Sequence, residues 1–508
     1  MAVFSRGRTV VNLLRIFWIL VILWYELGTW NSSVKGCNWP DSALLSDDLD
    51  AGAISSKPTH VLLVADPQII DRHSYPGRGF LLSYLTKFLV DLNLRKNWRT
   101  ALHKQPDVVV FLGDMMDSGR FVMSDEEYNA YFNRFNKIFA LDLDIPVYFI
   151  PGNHDVGLGA KVVQFSETAR SRYIAHFGQP NQEISVANHT LVLFDAPSYA
   201  DEDSKRNGQK KSFERWVPVP HGALDFMKKF SDRPHVDPVI LLSHIPLFRS
   251  DGKPCGPLRE KGTLRPGVGL GYQNTLEKQS SYRLLEFLSP EAVFSGDDHD
   301  YCEYTHVYQV RGLSKRVREV TVRTLSMVMN VRRPGFQLLS LMPADIRASD
   351  KPTHADTPCL LPDQLGIYLV VYIPLLAISL VIVFASNMGQ QTPRRSYSRQ
   401  SFPNGSHGDV ESEGRRDSYP PTSNVLSGPG SSPGWFVIQG HRRQQNIRPS
   451  IFEWPDKMKD SLRSLCPGHA RLASYRRSWP GTVMADIRDI ATFPLLTFAV
   501  ITWWVTTH

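Results

Sequence analysis

The sequence is poor in cysteine. It has five in 508 residues, too few to staple a disulfide scaffold. It also lacks a positive surplus where a nucleic-acid-binding domain would need one. The whole chain carries 57 Lys+Arg against 50 Asp+Glu, a net charge of +7. Residues 1–15 hold three basic and no acidic residues, and residues 386–489 hold 15 basic and 9 acidic. Residues 16–385 are left at −2, so the long central piece is weakly acidic and a globular nucleic-acid-binding domain is disfavoured. A third absence is a small-x-small cleavage site after the first apolar run, which is followed by Glu26, Leu27, Gly28, Thr29 and Trp30. That argues against a cleaved signal peptide and for an uncleaved signal anchor. No internal repeat is present. What is present is 42% hydrophobic and 21% charged residues, a globular balance, on a chain long enough for about two to three domains.

Three apolar runs are candidate membrane spans. Val10–Trp24 is interrupted by Arg15, whose long stem lets its charge snorkel to the headgroups. Leu365–Ala385 has no charge and is long enough to cross a bilayer. Ile490–Val505 is shorter and contains Pro494, but its uncharged character and the Trp503-Trp504 pair favour a span over an interfacial helix. Arg394, Arg395 and Arg399 follow the second run, and Arg476, Arg477 and Arg488 precede the third. The Lys/Arg bias makes those flanks and residues 1–9 cytoplasmic, which places residues 26–364 on the lumenal side. Four cysteines (Cys37, Cys255, Cys302, Cys359) fall in that lumenal stretch, an even number suited to an oxidising compartment, whereas Cys466 would be a reduced thiol. The sequon Asn188-His189-Thr190 is a lumenal glycosylation candidate; Asn31 is close to the membrane, and Asn404 is on the wrong side. Residues 390–440 are rich in Ser, Pro, Gly and Arg and read as disordered.

The central piece alternates buried β runs with helical segments such as Leu81–Lys96 and Asp125–Phe139. Five β runs end in polar loops: His60–Ala65 at Asp66, Asp107–Leu112 at Asp114, Ile145–Ile150 at Asn153-His154-Asp155, Val239–Ser243 at His244, and Glu291–Ser295 at Asp297-Asp298-His299. In α/β sheets, sites form beyond the carboxyl ends of strands. One aspartate after a strand is an ordinary helix cap; five such ends together point to metal chemistry.

These loops resemble the calcineurin-like metallophosphoesterases, whose pattern is D-x-H, G-D-x-x-D, G-N-H-[DE], a later His, and G-H-x-H. Here it reads Asp66-Pro67-Gln68, Gly113-Asp114-Met-Met-Asp117, Gly152-Asn153-His154-Asp155, His244 and Gly296-Asp297-Asp298-His299, in order over about 230 residues. Gln68 and Asp297 stand where the family has histidines. The resemblance implies an α/β fold, a metallophosphoesterase β-sandwich flanked by helices in four layers (αββα). It also implies two divalent metal ions. Asp66, Gln68, Asp114 and His299 would hold one; Asp114, Asn153, His244 and Asp297 would hold the other. His154 is then the proton donor to the leaving oxygen, and Asp155 orients the loop or His154. An amide and a carboxylate in place of two imidazoles make the site harder, which favours Mn²⁺ over Zn²⁺.

The segments Asp66–Asp71, Gly113–Gly119, Gly296–Cys302 and Thr324–Phe336, with the flanking spans, are similar to the fungal branch of the GPI-anchor remodelling phosphodiesterases. That resemblance implies removal of an ethanolamine-phosphate side branch from a mannose of the GPI glycan, with GPI-anchored proteins as substrate, in the endoplasmic reticulum membrane. The alternatives are a lumenal phosphatase for a lipid, nucleotide or phosphoprotein, and a membrane adaptor with a vestigial metal site. Cys255 and Cys302 follow His244 and His299 by 11 and 3 residues and form a candidate disulfide; Cys37 and Cys359, each beside a span, form a second. His73, Arg78, Arg332 and Arg333 are candidate phosphate contacts, and His306 a candidate support residue, each with an ordinary structural role as the alternative. The expected plan is a cytosolic N-terminus (1–9), signal anchor (10–25), lumenal linker (26–57), catalytic domain (58–345), lumenal linker (346–364), span (365–385), cytosolic loop (386–489) and a further span (490–505).

Overall fold

Short β-branched and leucine-rich runs form two packed sheets. In the computed structural model, the residues described are 2–45, 57–141, 144–159, 165–310, 312–343, 351–388 and 479–507. In chain order the strands are β1 (Thr59–Val64), β2 (Val108–Phe111), β3 (Val147–Phe149), β4 (Gln182–Val186), β5 (His189–Phe194), β6 (Val239–Ser243), β7 (Val268–Gly269), β8 (Tyr272–Gln273), β9 (Ala292–Ser295), β10 (Cys302–Val310), β11 (Leu313–Thr321), β12 (Gly335–Leu341) and β13 (His354–Leu360). A five-stranded sheet runs β13-β12-β1-β2-β3 and a six-stranded sheet β10-β11-β9-β6-β5-β4. β1, β2 and β3 are parallel, as are β5, β6, β9 and β11; antiparallel strands close both edges of the six-stranded sheet and the β13 edge of the five-stranded one, whose other edge is the parallel β3.

The period-2 alternation of side chains builds the four layers. Val61, Leu63, Val108 and Val110 of one sheet share a core with Leu191, Leu193, Ile240 and Leu242 of the other. The intervening Leu62, Val64, Val109 and Phe111 face outward onto Val90, Leu94 and Trp98 of the helix Phe80–Leu102 and onto Phe135 and Ile138 of Asp125–Ile138. On the far side, Val192, Phe194, Leu241 and Val293 pack on the helices Ala196–Gly208, Ala223–Ser231 and Lys278–Leu288. Because the parallel strands are covered on both faces, they read as continuous apolar runs.

Three helices are long and apolar enough to cross a membrane: Arg8–Ser33, Gln364–Met388 and Trp479–Thr507, the last containing Pro494. All three extend beyond the apolar runs that mark them in the sequence. Arg15 docks on the third of these helices: its Nη2 donates to the Asp489 carbonyl at 2.8 Å and its guanidinium lies 4.8 Å from the Phe493 ring centre.

The stretches read as linkers contain ordered structure. Residues 346–364 include β13, which pairs along its length with β12. His-Ala-Asp-Thr-Pro-Cys-Leu shows no apolar alternation and contains a proline, so its pattern does not announce an edge strand. Residues 26–57 include Trp39, stacked on His60 at 4.1 Å, and Cys37, disulfide-bonded to Cys359. Most of the loop expected at 386–489, including 390–440, lies outside the described residues.

Candidate metal centre

The parallel strands deliver their C-terminal loops to one place. Asp66 follows β1, Asp114 follows β2, Asn153 to Asp155 follow β3, His244 follows β6, and Asp297 to His299 follow β9. Of the twelve non-glycine residues with positive φ among the described residues, five are here: Asp66 (48°), Gln68 (35°), Asp114 (56°), Asp297 (64°) and His299 (68°). Left-handed backbone costs a residue with a Cβ about 1–2 kcal/mol, and such strain concentrates at functional sites. Two glycines let the loops meet: a Cβ on Gly152 would overlap the Asp114 carboxylate, and one on Gly113 (φ 95°) would overlap the His244 ring.

The side chains converge as two overlapping donor sets. Ligand-type atoms of Asp66, Asp114 and His299 all lie within 4.8 Å of one another. The His244 Nε2 lies 3.4 Å from Asp114 Oδ1, 3.5 Å from Asp297 Oδ1 and 3.1 Å from Asn153 Oδ1. Gln68 is buried beside them and donates from Nε2 to Asp114 Oδ2 at 2.7 Å. All seven residues expected as metal ligands are thus in one cluster.

The donor chemistry suits cations. His244 Nδ1 lies 2.7 Å from the Leu112 carbonyl, a partner for its N–H that fixes the ring with Nε2 facing three oxygens. Asn153 Nδ2 donates to the Gly271 carbonyl at 2.8 Å, which turns its Oδ1 inward. Asp66 Oδ2 is buried without a hydrogen-bond partner. Three carboxylates meet here, and among the described residues no lysine or arginine forms an ion pair with them. Burial, with Asp114 and Asp297 adding to it against His244, pushes Asp66 well above the ordinary carboxylate range. Burial disfavours a charged His244, but Asp114 and Asp297 overcome it and push its pKa well up. The cluster favours positive charge, which divalent cations held by these residues would supply.

Two further residues frame the cluster. His154 Nδ1 lies 2.6 Å from the Asp117 carbonyl and 3.3 Å from its carboxylate, so Nε2 faces away. Burial lowers the His154 pKa, but Asp114 and Asp117 outweigh both burial and the opposing Arg120, raising it to about 9. Asp155 turns away from the donors: its carboxylate accepts backbone N–H groups of Gly152, Asp114 and Met116 at 2.9, 2.8 and 3.2 Å, stapling two ligand loops together.

Arg120 went unread in the sequence. It donates to the carbonyls of Asn153 and Gly271 at 3.3 and 2.8 Å and lies 3.4 Å from His154 Nε2. Its only sequence signal is its place three residues after Asp117. His73 and Arg78 join other groups. His73 faces Glu127 and Phe121, and Arg78 lies over Tyr75. His306 pairs with Glu319 at 2.6 Å in a separate buried cluster. Cys255 and Cys302 form a disulfide beside that cluster. Asn188 is exposed at the β4–β5 turn with φ 53°, after Ala187 at φ 48°, a type I′ hairpin geometry.

Comparison with known proteins agrees with this geometry. The family model for calcineurin-like phosphoesterase matches residues 59–301. Cell division control protein 1 of Saccharomyces cerevisiae is 35% identical over 364 residues, covering 70% of this chain and 70% of that protein. A Metallophosphoesterase 1 homolog of Drosophila melanogaster is 26% identical over 322 residues, covering 61% of this chain and 78% of that one. Metallophosphoesterase 1 of Macaca fascicularis is 26% identical over 385 residues, covering 73% and 87%. The chain belongs to the calcineurin-like metallophosphoesterase family, and with three candidate spans it is a membrane phosphoester hydrolase.

Proposed function

We propose that this chain is a metal-dependent phosphodiesterase that removes an ethanolamine-phosphate side branch from a mannose of the GPI-anchor glycan. In this reading the catalytic domain is lumenal in the endoplasmic reticulum membrane, GPI-anchored proteins are the substrate, and the product is remodelled for export. The observation that carries it is the cluster itself: two buried carboxylates and a third partly buried one, two imidazoles and two side-chain amides at strand ends, on a domain whose first and last ordered segments run into candidate spans.

Asp66, Gln68, Asp114 and His299 would hold one cation, and Asp114, Asn153, His244 and Asp297 a second. When bound, such a pair polarises a water and neutralises the phosphoryl oxygens. The replacement of two family imidazoles by Gln68 and Asp297 favours manganese. His154, held through Nδ1 by Asp117, presents Nε2 to the departing oxygen and supplies its proton. Arg120 fixes the loop that carries Asn153 and His154. Asp155 keeps the Asp114 and Gly152 backbones in register. Spans on both sides of the domain confine it to the surface where an anchored glycan lies, which raises the effective concentration of that substrate.

Glycan analysis of GPI-anchored proteins from cells lacking the chain tests the reading. An extra ethanolamine phosphate retained on one mannose is the expected result, restored to normal by the wild-type chain and not by Asp114→Ala. Unchanged glycans would overturn it.

A further inference from the structure

A second polar feature lies at the membrane rim, away from the seven ligands. A cavity of about 440 Å³ is bordered by the first two spans and by the loop between β11 and β12. Its lining mixes chemistries: Trp24, Ile367 and Val370 of the two helices are apolar, Arg332 and Arg333 of the loop are cationic, and Asp363 adds one carboxylate. Arg332 is 77% exposed and reaches Asp363 at 3.1 Å. Arg333 donates from Nε to the Leu361 carbonyl at 3.3 Å, and among the described residues no carboxylate pairs with its guanidinium. With Asp363 engaged by Arg332, Arg333 is held by a carbonyl alone, and an arginine without an ion-pair partner in a cavity also lined by apolar helix residues fits an anion that carries aliphatic chains. Guanidinium groups match phosphate oxygens in geometry and charge.

The loop is rigidly tied at both ends. Thr324 Oγ1 donates to the Asp66 carbonyl at 2.7 Å, and Thr324 N to the His299 carbonyl at 3.0 Å. Glu260 accepts the backbone N–H groups of Arg332 and Arg333 at 2.7 and 3.0 Å and pairs with Arg323, which also holds Asp300 at 2.7 Å. Arg333 lies nine positions after Thr324, so the cavity edge lies within about 32 Å of the Asp66 loop even at full extension. One short, braced segment therefore links the metal cluster to the rim.

We propose that this cavity binds the phosphate of a membrane glycerophospholipid. The lipid's tails lie along Trp24, Ile367 and Val370, and its phosphate sits on Arg333 with Arg332. Resting on the function proposed above, its natural occupant is the lipid of the anchored substrate, held there while the glycan extends to the metal cluster.

The test uses the full-length protein in nanodiscs with a photoactivatable phosphatidylinositol, a matched diacylglycerol probe and peptide mapping. The proposal expects phosphatidylinositol to label the segments 24–33 and 362–371, with at least tenfold less labelling in the double variant Arg332→Gln, Arg333→Gln. Equal labelling by diacylglycerol, equal labelling of the variant, or displacement of the lipid by millimolar inorganic phosphate would each overturn it. Turnover separates this idea from the glycan reading. The variant should raise KM for a lipid-anchored substrate and leave kcat/KM unchanged for the same glycan freed of lipid. Arg333-dependent labelling in a protein that acts on neither glycan would keep the pocket and sink the glycan reading.

Discussion

Two buried charge clusters in the same domain solve opposite problems. Around Glu319 the buried carboxylate meets basic side chains, although Arg249 Nε itself has no hydrogen-bond partner among the described residues. Arg249 Nη2 donates to Glu319 Oε2 at 2.6 Å, His306 lies 2.6 Å from the same oxygen, and Ser295 Oγ and the Leu247 N–H bind the other at 2.8 and 3.0 Å. Glu319 and Arg249 are both fully buried and cancel in charge. Around Asp114, three carboxylates face imidazoles and amides, with Asp66 Oδ2 left unpartnered. Burying unpaired charge is too costly to be incidental, so an uncancelled cluster at strand ends is one built for an added cation. Glu26 and Lys96 repeat the first solution where the first span meets the domain: the two side chains pair in full burial, and Tyr372 donates to the other Glu26 oxygen at 2.8 Å.

The contrast breaks most severely at Asp114. Asp114→Ala should lower kcat/KM by at least ~10³-fold, because it removes the carboxylate shared by both donor sets. Steady-state kinetics on a GPI-glycan phosphodiester substrate checks it. His154→Ala should keep the metal content and lose roughly 10²–10⁴-fold in kcat, the usual range for a missing proton donor. Metal content and kcat measured on one preparation separate the two variants.

The self-cancelled cluster should respond in stability and not in turnover. Glu319→Gln strands a fully buried Arg249 and should cost about 3–5 kcal/mol in denaturant unfolding. The kcat of the protein that remains folded should hold. A pH series sharpens the point. Burial raises the Glu319 pKa, but Arg249, His306 and Ser295 outweigh it and bring the group from 4.5 down to about 2. A carboxylate depressed on folding contributes stability that is complete above about pH 4.5 and is lost as pH falls toward 2. Wild-type unfolding should weaken across that window, and the Glu319→Gln difference should shrink with it. A constant difference from pH 6 to pH 3 would contradict the assignment.

Much of the metal cluster was legible because strand-end loops carry their ligands within a few residues of an apolar run. The four-layer sandwich was legible for the same reason: parallel strands buried on both faces are continuous and apolar. The groups that support the cluster were not. Arg120 reaches Gly271 across 151 residues, and Arg323 joins Glu260 across 63, pairings that no local pattern encodes. β13 escaped because an edge strand need not alternate, and its Pro358 costs little there. Lys96 reads as one more charge on a helix, and only the packing of the first span on Phe80–Leu102 turns it inward to Glu26.

Metal stoichiometry of the purified full-length chain addresses the central claim without reference to any substrate. After loading with manganese and removal of free ion, the account predicts two divalent ions per chain in the wild type. It predicts the same in Glu319→Gln refolded to its native state, and loss of at least one ion in Asp114→Ala. A wild type that retains no divalent ion, or an Asp114→Ala variant that retains as much as the wild type, would contradict it.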